Sequence, residues 1–311
     1  MGFDLQGLKS AVTAHGRVTR VVIADIRGSS PREVGAAMLV WSSGQSGTIG
    51  GGTLEYEAAE TARSQSKDRV LSKHALGPDL GQCCGGVVFL LSEVYDAAKV
   101  AALDEELIAR PADPAPVPMS VTRVLTKLRN QGQRPVPQLI DGWMIEPVHK
   151  PDTPLWIWGA GHVGRALVDV LSPLPDLDIT WVDTAPERFP ENIAEGVTAV
   201  PASDPTLLVP HAPENAQHLV LTYSHTLDLA LCHALLKHEF SFAGLIGSAT
   251  KWARFRSRLG GLGHSAGHIA RITCPIGDPS LGKHPQMIAV GVAGEILRAG
   301  AKEELKKDRR A

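Results

Sequence analysis

The sequence predicts an α/β protein in two parts: a small mixed α/β domain over residues 1–110 and a doubly wound parallel sheet over residues 151–311, with a connecting segment at 111–150. Three observations carry this reading. The chain has 311 residues, 43% hydrophobic and 21% charged, enough for two cores at the usual ~150 residues per domain. The stretch Pro111-Ala112-Asp113-Pro114-Ala115-Pro116-Val117-Pro118 holds four prolines, which stop helices and favour a stiff extended connector. Beyond it, apolar runs at 155–158, 179–182, 218–222 and 243–246 alternate with helical stretches at 163–171, 226–239 and 250–259, as parallel strands joined by crossover helices do.

In the first part, 7–15 reads as a helix and 17–26 as a β-branched strand. Gly28 to Gly35 forms a loop, and a strand over 36–41 turns at Ser42-Ser43-Gly44 into a hairpin. Thr48-Ile49-Gly50-Gly51-Gly52-Thr53 then leads into a helix from Leu54 to Arg63. Amides and the positive dipole end at such a turn suit an anionic group. Strands follow at 70–71 and 87–91, then an alanine-rich helix over 97–109. Residues 121–128 fit either helix or strand, and 143–145 a short strand. The last helix spans 285–297, and the charged tail from Lys302 is expected to fray.

A formal net charge of −2 gives no general attraction to nucleic acid or anionic membrane. No run approaches the ~20 apolar residues of a membrane span, and the N-terminus lacks the regions of a signal peptide. A cytoplasmic protein is therefore expected. Cys232 and Cys274 lack zinc-ligand spacing and read as core thiols, without a disulfide.

Gln82-Cys83-Cys84-Gly85-Gly86 is a sharper feature. Neighbouring Cα atoms lie about 3.8 Å apart, below the ~4.4–6.8 Å of a relaxed disulfide, so the thiol pair points to sulfur or metal chemistry. Gly81, Gly85 and Gly86 clear side chains from around it and let a bulky ligand reach the backbone. The plainer alternative is two small buried hydrophobes ahead of a strand.

Gly159-Ala160-Gly161-His162-Val163-Gly164 places G-x-G-x-x-G between a strand and a helix, a Rossmann-like turn. Gly159 makes the bend, Gly161 admits a pyrophosphate, and Gly164 lets helix and strand pack. Asp183, about 20 residues on, stands where an acidic side chain meets a ribose hydroxyl. His225, at the ligand-facing rim of the sheet, either faces the crevice or caps a helix. Lys251, Arg254, Arg256 and Arg258 read as a solvated helix face, on which Lys251, Arg254 and Arg258 share one side open to a phosphate or acidic partner.

Taken together, Gly28-Ser29-Ser30-Pro31-Arg32, Gly47-Thr48-Ile49-Gly50-Gly51-Gly52, Leu80-Gly81-Gln82-Cys83-Cys84-Gly85-Gly86 and Trp158 to Gly164 resemble the XdhC/CoxI family. These are accessory proteins for xanthine dehydrogenase and related molybdenum hydroxylases. Gly244 to Ser248 and Gly282 to Pro285 match that family's later turns, whereas 111–145 matches none of its motifs. The resemblance implies a carrier, more chaperone than enzyme, for the molybdenum cofactor (molybdopterin). It would shield the cofactor, allow a terminal oxo ligand to be exchanged for sulfido, and insert it into apo-xanthine dehydrogenase. A cysteine desulfurase would supply the sulfur, and the carrier would be a homodimer.

On that reading Cys83 and Cys84 meet the metal, since soft thiolates suit it. Gln82 donates to an oxo or pterin group, Gly50, Gly51 and Gly52 offer amides to the cofactor phosphate, and Glu55 caps its helix or contacts the pterin. The turn at Gly159, Gly161 and Gly164 holds the pterin phosphate, NAD(P) or another nucleotide, or nothing. Two other functions compete with carriage. One is an NAD(P)-dependent oxidoreductase, for which no acid/base constellation stands out beside the turn. The other is a docking scaffold whose glycine loops only turn the chain.

Overall fold

The structure, a computed structural model, describes residues 2–77 and 85–308. The chain divides into two compact units, Met1–His149 and Lys150–Ala311.

The first unit opens with α1 (Leu5–His15), whose N-cap Asp4 accepts from Gly7 N–H at 2.8 Å and whose Leu5, Leu8 and Val12 turn inward. There follow β1 (Val18–Arg27), β2 (Ala37–Trp41), β3 (Gly44–Gly47), α2 (Gly52–Ser64), β4 (Arg69–Ala75) and β5 (Val87–Tyr95). These strands form an antiparallel sheet in the order β3-β2-β1-β5-β4. Strand β1 lies at its centre, which is why its apolar residues run on without alternation. Leu54, Ala58, Ala59 and Ala62 of α2 cover Val21, Ile23, Met38 and Val40 on one side. On the other, α1 joins Phe3, Val18, Tyr95 and Ile108.

The unit is completed by α3 (Ala97–Ala101), β6 (Leu107–Pro111), α4 (Met119–Gln131), β7 (Gln138–Ile140) and β8 (Trp143–Pro147). Here the structure departs from the sequence expectation. The helix expected over 97–109 stops at Ala101, because the Asp104 carboxylate accepts from the amides of Glu106 and Leu107 at 2.7 and 3.0 Å. Such local bonding competes with helix continuation, and 107–111 becomes a strand. Residues 111–149 of the expected 111–150 connector also belong to the first unit. Its proline run joins β6 to α4, and Val121, Val124, Leu125 and Leu128 line one helical face against Leu107, Trp143 and Ile145. Strands β6-β8-β7 make a second antiparallel sheet.

The two sheets share a buried charge network. Arg20 on β1 donates to both carboxylate oxygens of Glu146 on β8, at 2.7 and 3.0 Å. Arg110 on β6 donates to Glu93 on β5 and to Glu146, both at 2.5 Å. All four residues are buried, and the Arg20 guanidinium lies 4.1 Å from the Phe3 ring centroid. Burial alone would raise the Glu146 pKa, but Arg20 and Arg110 outweigh it and hold the carboxyl below its ordinary value.

In the second unit, β9 (Thr153–Trp158), α5 (His162–Leu171), β10 (Leu177–Asp183), β11 (Val197–Pro201), β12 (Gln217–Val220), α6 (His225–Leu235), β13 (Phe242–Leu245), α7 (Ala249–Gly261), α8 (Ala266–Ile269), β14 (Ile272–Thr273) and α9 (Pro285–Asp308) alternate. The sheet is parallel, in the order β11-β10-β9-β12-β13-β14, which is the Rossmann order with its reversal between β9 and β12. Leu167, Leu171, Val292 and Ile296 cover one face, and Leu231, Leu235, Phe255 and Leu259 the other. Helix α9 runs past the expected end at Leu297 to Asp308, since the Ala, Lys, Glu and Leu residues of the tail are good helix formers. Among the described residues no helix is long and apolar enough to cross a membrane.

Replacing Glu146 by Gln leaves two buried guanidiniums short of one negative charge. Loss of one partner of a buried pair costs about 3–5 kcal/mol, and urea unfolding of the first unit is expected to report a loss of that order. Because the folded pKa of Glu146 is depressed, its contribution is present above the unfolded value of about 4.3 and lost as pH falls through the folded one. The gap between wild type and Glu146→Gln should therefore narrow in acid.

Candidate functional site

Three glycine-bearing loops of the first unit converge. Ile26 opposes Val88 and Arg27 opposes Val87, which brings the residues just past these strand ends, Gly28 and Gly86, side by side. A Cβ on Gly86 would lie 2.1 Å from the Ser29 carbonyl oxygen, and one on Gly28 3.3 Å from the Gly86 Cα. The third loop closes on the first, because a Cβ on Gly50 would lie 2.6 Å from Pro31 Cγ. Gly85 and Gly51 meet nothing within 4 Å among the described residues. Backbone there is open to an approaching ligand, as a bulky group requires. Gln82, Cys83 and Cys84 lie outside the described residues.

The turn before α2 is closed by its own carboxylate. Gly50, Gly51 and Gly52 all take positive φ, and Glu55 Oε2 accepts from Ile49 N–H at 2.9 Å, from Gly51 N–H at 3.0 Å and from the Thr48 hydroxyl. Thr48 Oγ1 accepts in turn from Gly50 N–H at 3.0 Å. Burial would raise the Glu55 pKa, yet the Thr48 hydroxyl and the loop amides lower it. Of the two roles open to Glu55, this geometry is capping. The amides of Gly50 and Gly51, expected to face a phosphate, are engaged within the chain.

In the second unit the glycines hold the positions that the fingerprint demands. Gly159 has φ 126°. A Cβ on it would lie 2.6 Å from the Leu221 carbonyl oxygen, and one on Gly164 2.0 Å from that of Gly159. Gly161 caps α5 with open space around it. Asp183 is turned inward and is 3% exposed. Its Oδ2 accepts from Ala160 N–H at 2.5 Å, while Oδ1 accepts from Thr184 N–H at 2.6 Å and the Thr184 hydroxyl at 3.0 Å. Arg188 Nε stands 3.4 Å from Oδ1. A carboxylate held this way braces the glycine turn and offers little to a ribose. His225 is exposed at the first residue of α6, next to the N-cap Ser224.

Beside the turn lies a cavity of about 220 Å3 lined by Ala160, Gly161, His162, Arg165, Glu187 and Arg188. Arg165 ties its walls together, donating to the Ala160 carbonyl at 3.2 Å and the Arg188 carbonyl at 2.8 Å. The Arg188 guanidinium sits 4.7 Å from the exposed Tyr223 ring. Sequence reasoning missed Arg165 and Arg188, which carry no motif signal beyond following the glycine turn and the Asp183 strand end. Lys251 also differs from expectation. It leaves the solvated face of Arg254 and Arg258 to donate to Asp228 Oδ2 at 2.6 Å and to the Ile246 carbonyl at 2.9 Å. Cys232 is buried and Cys274 partly so, and burial raises both thiol pKa values, that of Cys274 to about 11. Among the described residues no three His, Cys, Asp or Glu side chains are placed to hold a metal ion.

Fold and site define a two-unit protein in which a glycine-looped antiparallel domain precedes a Rossmann unit. The profile of the XdhC Rossmann domain matches residues 155–296, and that of the XdhC and CoxI family matches residues 11–72. The chain belongs to the XdhC family. A crystal structure described as a xanthine dehydrogenase from Bacillus halodurans has the same fold, with a TM-score of 0.71 over 96% of each chain at 18% identity. The uncharacterized protein YqeB of Escherichia coli K12 is 27% identical over 89% of this chain, which spans 42% of that relative's length.

Glu55→Ala frees the Ile49 and Gly51 amides. Hydrogen bonds to a charged group contribute about 1.5–3 kcal/mol, so thermal denaturation is expected to show a loss within that range at neutral pH. The penalty should shrink as pH falls through the depressed folded pKa of Glu55, and an undiminished penalty in acid would mean the carboxylate charge is not involved. Gly164→Ala drives a methyl into the Gly159 carbonyl and is expected to destabilise the second unit by about 1–3 kcal/mol, the usual cost of overpacking. A melting point equal to wild type would place the helix farther from the strand than described.

Proposed function

We propose that this protein carries the molybdenum cofactor in the cytoplasm, protects it, supports its sulfuration and inserts it into apo-xanthine dehydrogenase. Membership in the XdhC family supports a role in xanthine dehydrogenase maturation. The single observation that carries the finer reading is the convergence of the three glycine loops, with Cys83 and Cys84 in the segment leading to Gly85. The chain's contribution is to supply soft thiolates at Cys83 and Cys84, a donor at Gln82, and bare backbone at Gly85. Once delivered, the cofactor supplies the redox-active metal of the client hydroxylase. A cysteine desulfurase is the proposed sulfur source and a homodimer the proposed carrier state.

Transfer sets a limit on affinity. The client must hold the cofactor more tightly, and each 1.4 kcal/mol of difference shifts the partition about tenfold. A phosphate end of the cofactor has two possible seats, the α2 turn and the cavity of Arg165 and Arg188. At the first, Glu55 already engages two of the amides, so a phosphate there must compete with it. An NAD(P)-dependent oxidoreductase is the alternative reading, supported by the Rossmann strand order and glycine turn. The inward Asp183 weighs against it.

Co-expression with an active cofactor pathway, followed by assay of pterin, molybdenum and nucleotide in one purified sample, tests these readings. Pterin and molybdenum in near-equal amounts are expected, falling about tenfold or more in the folded Cys83→Ala/Cys84→Ala double mutant. Nucleotide without pterin, or unchanged pterin retention and client activation by the double mutant, would contradict carriage through the thiols.

A further inference from the structure

A second cavity, in the first unit and about 710 Å3 in volume, plays no part in the sites above. Every residue from Leu107 to Pro111 lines it, which is the whole of β6. Successive side chains of a strand point to opposite faces, so a cavity touched by all of them runs along the strand's edge. That edge is unpaired, because β6 is an outer strand of its sheet.

The register determines which main-chain groups face this edge. Val148 N–H donates to the Glu106 carbonyl and Ala112 N–H to the Gly142 carbonyl, both at 2.8 Å. Hydrogen-bonded positions alternate along an antiparallel pair, so Ile108 and Arg110 point their main-chain groups at Glu146 and Met144 of β8. Leu107, Ala109 and Pro111 point theirs the other way. Both ends of this free edge are occupied: Asp104 Oδ1 accepts from Leu107 N–H at 3.0 Å, and Arg69 Nη1 donates to the Pro111 carbonyl at 3.1 Å. Between these two side chains, the N–H and C=O of Ala109 face the cavity with no partner among the described residues.

The opening is short, spanning the Leu107 carbonyl and Ala109. An added strand needs several consecutive pairs, and the Asp104 and Arg69 side chains stop such a ladder at either end. The volume falls in the ~300–1,000 Å3 range of small-molecule sites. Leu103 and Pro114 give it apolar wall, and its charged lining balances: Lys67, Arg69, Lys99 and Arg110 stand against Asp68, Glu93, Asp104 and Asp113, with Lys99 bonded to Asp68 at 2.7 Å and Arg69 to Glu93 at 3.3 Å. A neutral ligand is therefore favoured over an ion. We propose that this cavity binds a small neutral heterocycle bearing a lactam, whose ring N–H donates to the Ala109 carbonyl and whose ring C=O accepts from the Ala109 N–H. The site shares no residue with the converging glycine loops and stands independently of cofactor carriage.

Calorimetric titration of the full chain with hypoxanthine, uracil and pterin tests the proposal and distinguishes purine, pyrimidine and pteridine sources of the lactam. Purine, which lacks the lactam, is the control. At least one lactam is expected to bind with a Kd below about 1 mM and purine about tenfold or more weakly. Ala109→Pro removes the N–H at an edge position where proline is tolerated, and should weaken lactam binding about tenfold, as a lost hydrogen bond does. Should that variant fail to fold by circular dichroism, Leu103→Trp, which fills the cavity, should abolish binding instead. Cys83→Ala/Cys84→Ala should leave lactam binding unchanged. No lactam binding at millimolar concentration, equal binding of purine, or unaltered affinity in the folded cavity variant would overturn the assignment.

Discussion

Two buried arginines and two buried glutamates hold the first unit together. Removing such charges from water costs several kcal/mol per ion, and the cost is offset only if every partner stays in place. Arg20, Glu93, Arg110 and Glu146 come from four strands in two sheets. Their mutual bonds therefore set how β1 and β5 stand against β6 and β8. Arg20 opposes Glu93 within the β1–β5 ladder, and the bulge between Ile23 and Asp25 shifts the register before the strands end at Arg27 and Val87. Because that ladder is held, Gly28 and Gly86 meet. On the other side, Arg110 and Ile108 face β8, which leaves the opposite edge of β6 unpaired.

The same device recurs at both glycine turns. Glu55 on α2 and Asp183 at the end of β10 each turn a carboxylate back onto the amides of the preceding turn. Glycine permits the turn, and the internal anion satisfies N–H groups that would otherwise require solvent or ligand. A phosphate binding at either turn must compete with a carboxylate already there. This tempers affinity for such an anion, while Arg165 and Arg188 add positive charge beside the second turn.

Much of the fold was legible from local chemistry. The Rossmann unit announced itself because buried parallel strands read as unbroken apolar runs and because Gly159 and Gly164 answer to steric demands that no other residue meets. The short strands β11 and β14 escaped, being half-exposed or two residues long. Residues 97–109 misled because alanine-rich composition signals helix, whereas one side chain, Asp104, ended it and pairing with β8 claimed the rest. The proline run looked like a domain boundary since stiffness is local, but whether a stiff segment joins two units or two elements of one unit depends on packing of Val121 and Leu128 against Trp143, which lies beyond any local window. The inward rotation of Asp183 and the pairing of Lys251 with Asp228 were likewise invisible, because rim position predicts exposure and only tertiary partners reverse it.

On the proposed carriage, the converging loops of the first unit, with the adjoining thiol pair, form the seat of the cofactor. Amide hydrogen exchange of the protein purified with and without bound cofactor is the decisive measurement. Slowed exchange on loading is expected across 27–35, 47–52 and 85–87, with no more than a local change at 159–164. Protection confined to the Rossmann turn, or none in the first unit, would contradict it.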